Sequence, residues 1–89
     1  MTRYRLRAEV LRAPLQEDEV LLNPETGIYH LANATGRAVL AALQAGDTVA
    51  AVADRIARDT GTAPERVRQD VEAFVQAMTS RGVLEEVRE

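Results

Sequence analysis

The 89-residue chain has no cysteine, no tryptophan and a single histidine, and these gaps remove most chemistry before any motif is sought. Without cysteine there is no disulfide framework and no thiolate metal site. With only His30, neither a Cys/His nucleophile pair nor a two-histidine metal centre can be assembled. A glycine-rich phosphate loop is also missing. Gly27, Gly46, Gly61 and Gly82 are spaced as turn or helix punctuation, and Gly36 falls in the first turn of an expected helix, where a close contact with neighbouring backbone would call for it. Glu17/Asp18 and Glu85/Glu86 are carboxylate pairs, but on expected solvated loops or tails, with no cleft to turn one of them into an acid. No catalytic residue, metal ion or cofactor is therefore expected, and the chain is not read as an enzyme. Aromatics make up 3% of the residues, which leaves Tyr4, Tyr29 and Phe74 as the expected bulky fillers of an Ala/Val/Leu core.

Positive charge is also in short supply. A net charge of −3 gives no global basic field, so neither nucleic acid nor an anionic membrane surface is an expected partner. The opening Met1-Thr2-Arg3-Tyr4-Arg5-Leu6-Arg7 alternates charge and apolarity, which speaks against a signal peptide or membrane span. Together with the missing cysteine this suits a cytoplasmic protein. The length suits a single domain over residues 1–89 that buries roughly 60–65% of its unfolded surface.

What is present begins with a β-hairpin. Val20-Leu21-Leu22-Asn23 and Ile28-Tyr29-His30-Leu31 flank Pro24-Glu25-Thr26-Gly27. Pro24 presets φ for the first corner of a type I turn, and Gly27 tolerates the positive φ that returns the chain. Upstream, Tyr4, Leu6, Ala8 and Val10 alternate at period two, predicting one half-buried strand over 4–12, with residues 13–18 as a loop around Pro14. Downstream, Asn33 is placed to cap a helix over 34–45 closed by Gly46. Asp47 or Thr48 opens a second helix with an apolar stripe of Val49, Val52, Ala53, Ile56 and Ala57, ended by Gly61. Thr62-Ala63-Pro64-Glu65 reads as a capping box before a third helix, whose stripe is Val67, Val71, Phe74, Val75 and Met78. Gly82 stops that helix, and Val83-Leu84 are expected to tuck back toward the core. The predicted class is α+β: a three-stranded antiparallel sheet followed by three helices, in a winged helix-turn-helix-like arrangement.

That arrangement raises DNA binding as a rival function. On the candidate recognition helix, Glu65, Asp70 and Glu72 offset Arg66, Arg68 and Arg81 one for one. A helix that must approach two rows of phosphates needs a positive excess, so a winged-helix regulator is the weaker reading.

Val20 to Gly36 resembles the signature of PqqD-like proteins, the recognition elements for ribosomally synthesised, post-translationally modified peptides. The resemblance continues through Thr48-Val49-Ala50-Ala51-Val52, Asp70-Val71-Glu72-Ala73-Phe74-Val75 and Gly82-Val83-Leu84, so it covers roughly residues 5–85. One departure is Leu31-Ala32-Asn33, where the family commonly has Leu-Asn directly. Within the family, the chain is most similar to standalone leader-binding proteins of lasso-peptide biosynthesis. PqqD proper, the peptide chaperone of a radical SAM enzyme, usually begins with a Pro- and basic-rich segment that this chain lacks, and it stands as the alternative.

The resemblance implies that a disordered precursor leader adds as a strand against Gly27–Leu31, with a groove toward the third helix supplying specificity. It further implies a cysteine-protease leader peptidase and a cyclase as partners, no cofactor, and a monomer, with a dimer left open. Lasso-type leaders typically carry a Tyr-x-x-Pro element that needs an apolar slot. Alternation puts Ile28 and His30 on one face of the strand and Tyr29 and Leu31 on the other. Val67, Asp70, Val71 and Phe74 fall at i, i+3, i+4 and i+7, one wall of a groove, with Arg68 or Asp70 pairing with leader charges at its rim. Each residue also has a plainer role: Val71 and Phe74 as core, Tyr29 and Leu31 as cement between sheet and helices, His30 as strand surface, Arg68 and Asp70 as solvated charge.

Overall fold

Asn23 organises the hairpin. Its carbonyl accepts from Thr26 N at 3.2 Å and Gly27 N at 2.8 Å, and its Oδ1 accepts from Glu25 N at 2.9 Å, an Asx turn locked onto the backbone turn. Gly27 takes φ 72°, as the turn chemistry requires. In a computed structural model that describes residues 2–87, this turn joins β3 (Asp18–Asn23) to β4 (Ile28–Ala32). The other elements are β1 (Arg3–Leu6), β2 (Leu11–Leu15), α1 (Ala34–Gln44), α2 (Val49–Thr60), α3 (Pro64–Ser80) and β5 (Leu84–Val87).

The three-stranded antiparallel sheet runs β2-β3-β4, so β4 is an edge strand. Its register sets Leu22 opposite Tyr29, Leu21 opposite His30 and Val20 opposite Leu31. β3 alternates strictly, with Glu19, Leu21 and Asn23 buried and Asp18, Val20 and Leu22 half-buried. The sheet followed by three helices is the predicted architecture, but its first strand is not the predicted one. Residues 4–12 do not form a single strand. The chain turns where Val10 N donates to Arg7 O at 3.1 Å, and β1 pairs instead with β5 in a second, two-stranded sheet. The cause is long-range: the backbone groups of β5 need a partner, and Arg5–Glu85 at 2.7 Å ties the pair across 80 positions. Residues 13–18 are likewise not a loop. They finish β2 and make a tight hairpin turn with Gln16 at φ 58°, and Pro14 is tolerated because β2 lies on an edge.

Helix α1 starts on Asn33, whose Oδ1 accepts from Gly36 N at 2.8 Å; α2 starts on Thr48, whose hydroxyl accepts from Ala51 N at 3.2 Å. Gly61 closes α2 in the left-handed conformation. The capping box expected at Thr62–Glu65 does not form. Ala63 holds the cap position of α3 with no side-chain bond, and Thr62 engages the Thr60 hydroxyl at 2.9 Å. Pro64 at the start of α3 has no N–H, so one orphan donor is already gone. The core is Leu21, Leu40, Leu43, Val39, Val52, Val71, Val75 and Met78, sealed by Val83 and Leu84, which do tuck back as expected. Tyr4 and Phe74 pack against it, but Tyr29 is 69% exposed and fills no core. Asn23, only 3% exposed, also donates from Nδ2 to Gly82 O at 2.9 Å, fastening the hairpin to the corner between α3 and β5. Among the described residues no helix is long and apolar enough to cross a membrane.

Candidate functional site

β4 is bonded to β3 on one side, and among the described residues no strand occupies its other edge. Such an edge offers N–H and C=O groups at every second residue, a spacing of about 6.6 Å. Helix α3 runs alongside it. Near the Ala32 end of β4, Asp70 and Phe74 share a cleft with Asn33 and Gly36. Toward the Ile28 end, Gly82 O, next to Arg81, accepts from Nδ2 of Asn23 at 2.9 Å, and Asn23 pairs with Ile28. α3 therefore runs antiparallel to β4, with the cleft just beyond the Ala32 end of the strand.

The cleft encloses about 320 Å³. Val67, Asp70, Val71 and Phe74 all line it, as their spacing on one helical face predicts, together with Val39 of α1 and Ile56 of α2. Val67 and Val71 are buried and form its floor, Phe74 is half-buried, and Asp70 is exposed at the rim. The Phe74 ring lies over Gly36: a Cβ there would stand 3.0 Å from Phe74 Cε1 and 3.2 Å from Cζ. The close contact anticipated at Gly36 is thus with an aromatic side chain and not with backbone. Arg68 is not part of this assembly. It lines a separate depression with Tyr4, Thr48 and Glu72, because residues two apart on a helix face nearly opposite ways.

On β4 the register follows the predicted alternation. Ile28 and His30 share the face of Asn23 and Leu21, and Tyr29 and Leu31 the opposite one. The second pair does not cement the sheet to the helices, since Tyr29 and Leu31 are 69% and 64% exposed. With exposed Leu11 and Leu15 and half-buried Val20 and Leu22 they make an apolar outer face, of which Leu11 and Leu15 were missed; a hairpin register for β2 would have aligned them. His30 is not a surface residue either. It is half-buried, and its Nε2 is buried without a hydrogen-bond partner. Burial lowers its pKa, and the nearby Arg81 charge lowers it further, so the ring is neutral at pH 7. Gly27 sits in the turn at the head of the strand. Among the described residues no group of His, Cys, Asp and Glu is placed to hold a metal. What the geometry offers is backbone pairing beside an apolar cleft.

The family model described as coenzyme PQQ synthesis protein D (PqqD) matches residues 19–84, the span from β3 to the start of β5. The chain belongs to the PqqD family. Two solved structures share its fold. One, described as TbiB1 in complex with the TbiA(beta) leader peptide, is 24% identical, with a TM-score of 0.84 over 96% of this chain and 99% of that one. The other, lasso peptide synthetase B1 complexed with the leader peptide, is 25% identical, with a TM-score of 0.86 over 93% and 98%. No curated protein matches the chain in sequence.

Proposed function

We propose that this PqqD-family chain binds the leader segment of a ribosomally made precursor in lasso-peptide biosynthesis and presents it to a leader peptidase and a cyclase. The observation that carries the reading is the open edge of β4 beside the Val67–Val71–Phe74 cleft. A disordered leader gains backbone hydrogen bonds by adding as a strand, and the cleft takes apolar side chains. Support comes from the two structural matches, both of which are proteins solved with a leader peptide. In this reading the contact set is the backbone of Gly27–Leu31 with Val67, Asp70, Val71 and Phe74. Arg68, on the far side of α3, is left out of the leader groove. Presentation to the enzymes needs a second surface, and the apolar outer face carrying Tyr29 and Leu31 is contiguous with the leader strand.

Fluorescence polarisation with a fluorescein-labelled peptide copying the leader encoded beside this gene tests the reading. Saturable one-to-one binding at micromolar concentrations is expected. N-methylation of successive leader amides should weaken binding with a period of two, because only alternate N–H groups face β4. An absence of binding, or tolerance of every N-methyl group, refutes strand addition.

A further inference from the structure

Asp70, inside α3, and Arg81, at its C-cap, are about three turns apart and fall on the same side of the helix. Asp70 stands beside the cleft, and Arg81, eleven residues later, precedes Gly82, whose carbonyl is held by Asn23 opposite Ile28. At about 1.5 Å per helical residue they are ~16 Å apart, the length of about five strand residues, which is the length of β4. The two charges differ in their surroundings. Asp70 shares a shallow depression with Glu65 and Arg66. The Arg81 side chain is exposed and, among the described residues, has neither an ion-pair nor a hydrogen-bond partner. By contrast Arg5, Arg7, Arg12 and Arg55 each hold a carboxylate within 2.9 Å. Arg81 is also the C-cap of α3, where the helix dipole favours a cation.

We propose that Arg81 is a carboxylate-binding subsite of the β4–α3 groove, taking an Asp or Glu side chain of the leader at the Ile28 end of the added strand. The inference rests on the strand-addition reading. A guanidinium offers a planar pair of N–H donors that matches a carboxylate, and an unpaired one loses no existing ion pair on binding. Half-buried, neutral His30 beside it adds no rival charge. β4 runs from its Arg81 end toward its Asp70 end. A leader adding antiparallel, like the other pairs of this sheet, therefore meets Arg81 with the C-terminal end of its paired segment.

The test uses the full chain and the fluorescein-labelled leader peptide, with each Asp or Glu of the peptide changed in turn to Gln. At low salt one such change should weaken binding two- to fivefold, the range of a solvent-exposed ion pair, and the difference should shrink at high salt. R81Q should show the same loss on the unchanged leader and no further loss on that one peptide. R81E should recover binding to a peptide with Arg at the acidic position. Circular dichroism establishes that each variant is folded. The subsite is overturned if R81Q binds every peptide as the parent does, if it weakens all peptides equally, or if the encoded leader has no acidic residue. Failure of the parent protein to bind the unchanged leader refutes strand addition instead, so the two failures are distinguishable.

Discussion

Gly36→Ala is a local probe of the groove. Ala is favoured over Gly in a helix by up to about 1 kcal/mol. Against that gain, the new methyl carbon would stand 3.0 Å and 3.2 Å from two Phe74 ring atoms, well inside the ~3.5–4.0 Å optimum for carbon pairs. The ring must retreat by a few tenths of an ångström. Overpacking of a closed core costs about 1–3 kcal/mol, but Phe74 is half-buried and borders an open cleft, so the low end applies. The two effects nearly cancel, and the urea-derived stability of G36A should lie within about 1 kcal/mol of the parent. Binding should not cancel. The displaced ring narrows the cleft, and leader affinity should fall several-fold while the fold is unchanged. In an F74L background the obstruction is gone, so G36A should there become stabilising by about 0.5–1 kcal/mol. The double-mutant cycle isolates the Gly36–Phe74 contact. An identical stability change in both backgrounds would refute the argument, because it would place the cost of the methyl group somewhere other than Phe74.

Other substitutions probe the supports of the groove. Asn23→Ala leaves Glu25 N and the half-buried Gly82 O without this partner and should cost about 1–3 kcal/mol in urea unfolding; a loss under about 0.5 kcal/mol would mean the hairpin is not held by this side chain. Arg12→Ala leaves Glu19, 4% exposed, without its bidentate partner and should cost about 1–3 kcal/mol. Arg5→Ala at an exposed pair should cost under about 1 kcal/mol, and equal losses would contradict the burial argument. Because the fold lowers the His30 pKa, the unfolded chain takes up the proton first as pH falls. Stability present above the ordinary value of 6.5 should therefore decline as pH drops toward the lower native value, and His30→Gln should flatten that part of the urea-midpoint profile. Leu31→Glu on the outer face should leave leader affinity within about twofold yet abolish acceleration of leader cleavage by the partner peptidase; unchanged acceleration would free that face of any role.

The parts of the fold that were legible in the sequence are those whose causes are local. The Asn23–Gly27 turn is specified by residues that each fix a dihedral or a hydrogen bond within four positions. The helices follow from apolar spacing, and Asn33 and Thr48 from capping chemistry. The division of residues 3–15 into β1 and β2 was not legible, since apolar alternation runs unbroken through the turn at Arg7–Val10 and the partner of β1 is β5 at the far end of the chain. The same contrast holds at the site. The spacing of Val67, Asp70, Val71 and Phe74 brings all four to one cleft, because a single helix carries them. Arg68 shares their sequence neighbourhood but not their face. Tyr29 and Leu31 have core composition but belong to an edge strand, whose outer face no helix covers. His30 needed α3 behind it before its burial could be known.

In the strand-addition reading, the leader site along β4 is flanked by two contacts internal to the protein. At one end Phe74 rests on Gly36, within four residues of the last position of β4; at the other, Asn23 holds Gly82, beside Arg81. Both contacts are in place without a peptide, so on that reading binding orders little of the protein. The leader bears nearly all of the ordering cost, about 1–2 kcal/mol per residue for the backbone alone. Backbone pairing along β4 returns about 0.5–1.5 kcal/mol per hydrogen bond, and only alternate residues face the strand. Edge pairing by itself leaves a net deficit over five residues. Specific binding must come from side chains anchored at fixed points, and two such points bracket β4: the apolar cleft under Phe74 and the unpaired guanidinium of Arg81. A leader carrying an apolar anchor and an acidic residue at that separation gains both, whereas a random extended peptide gains only the backbone bonds. In the strand-addition reading the strand supplies register and direction, while the Phe74 cleft midway along α3 and Arg81 at its C-cap supply the choice of partner.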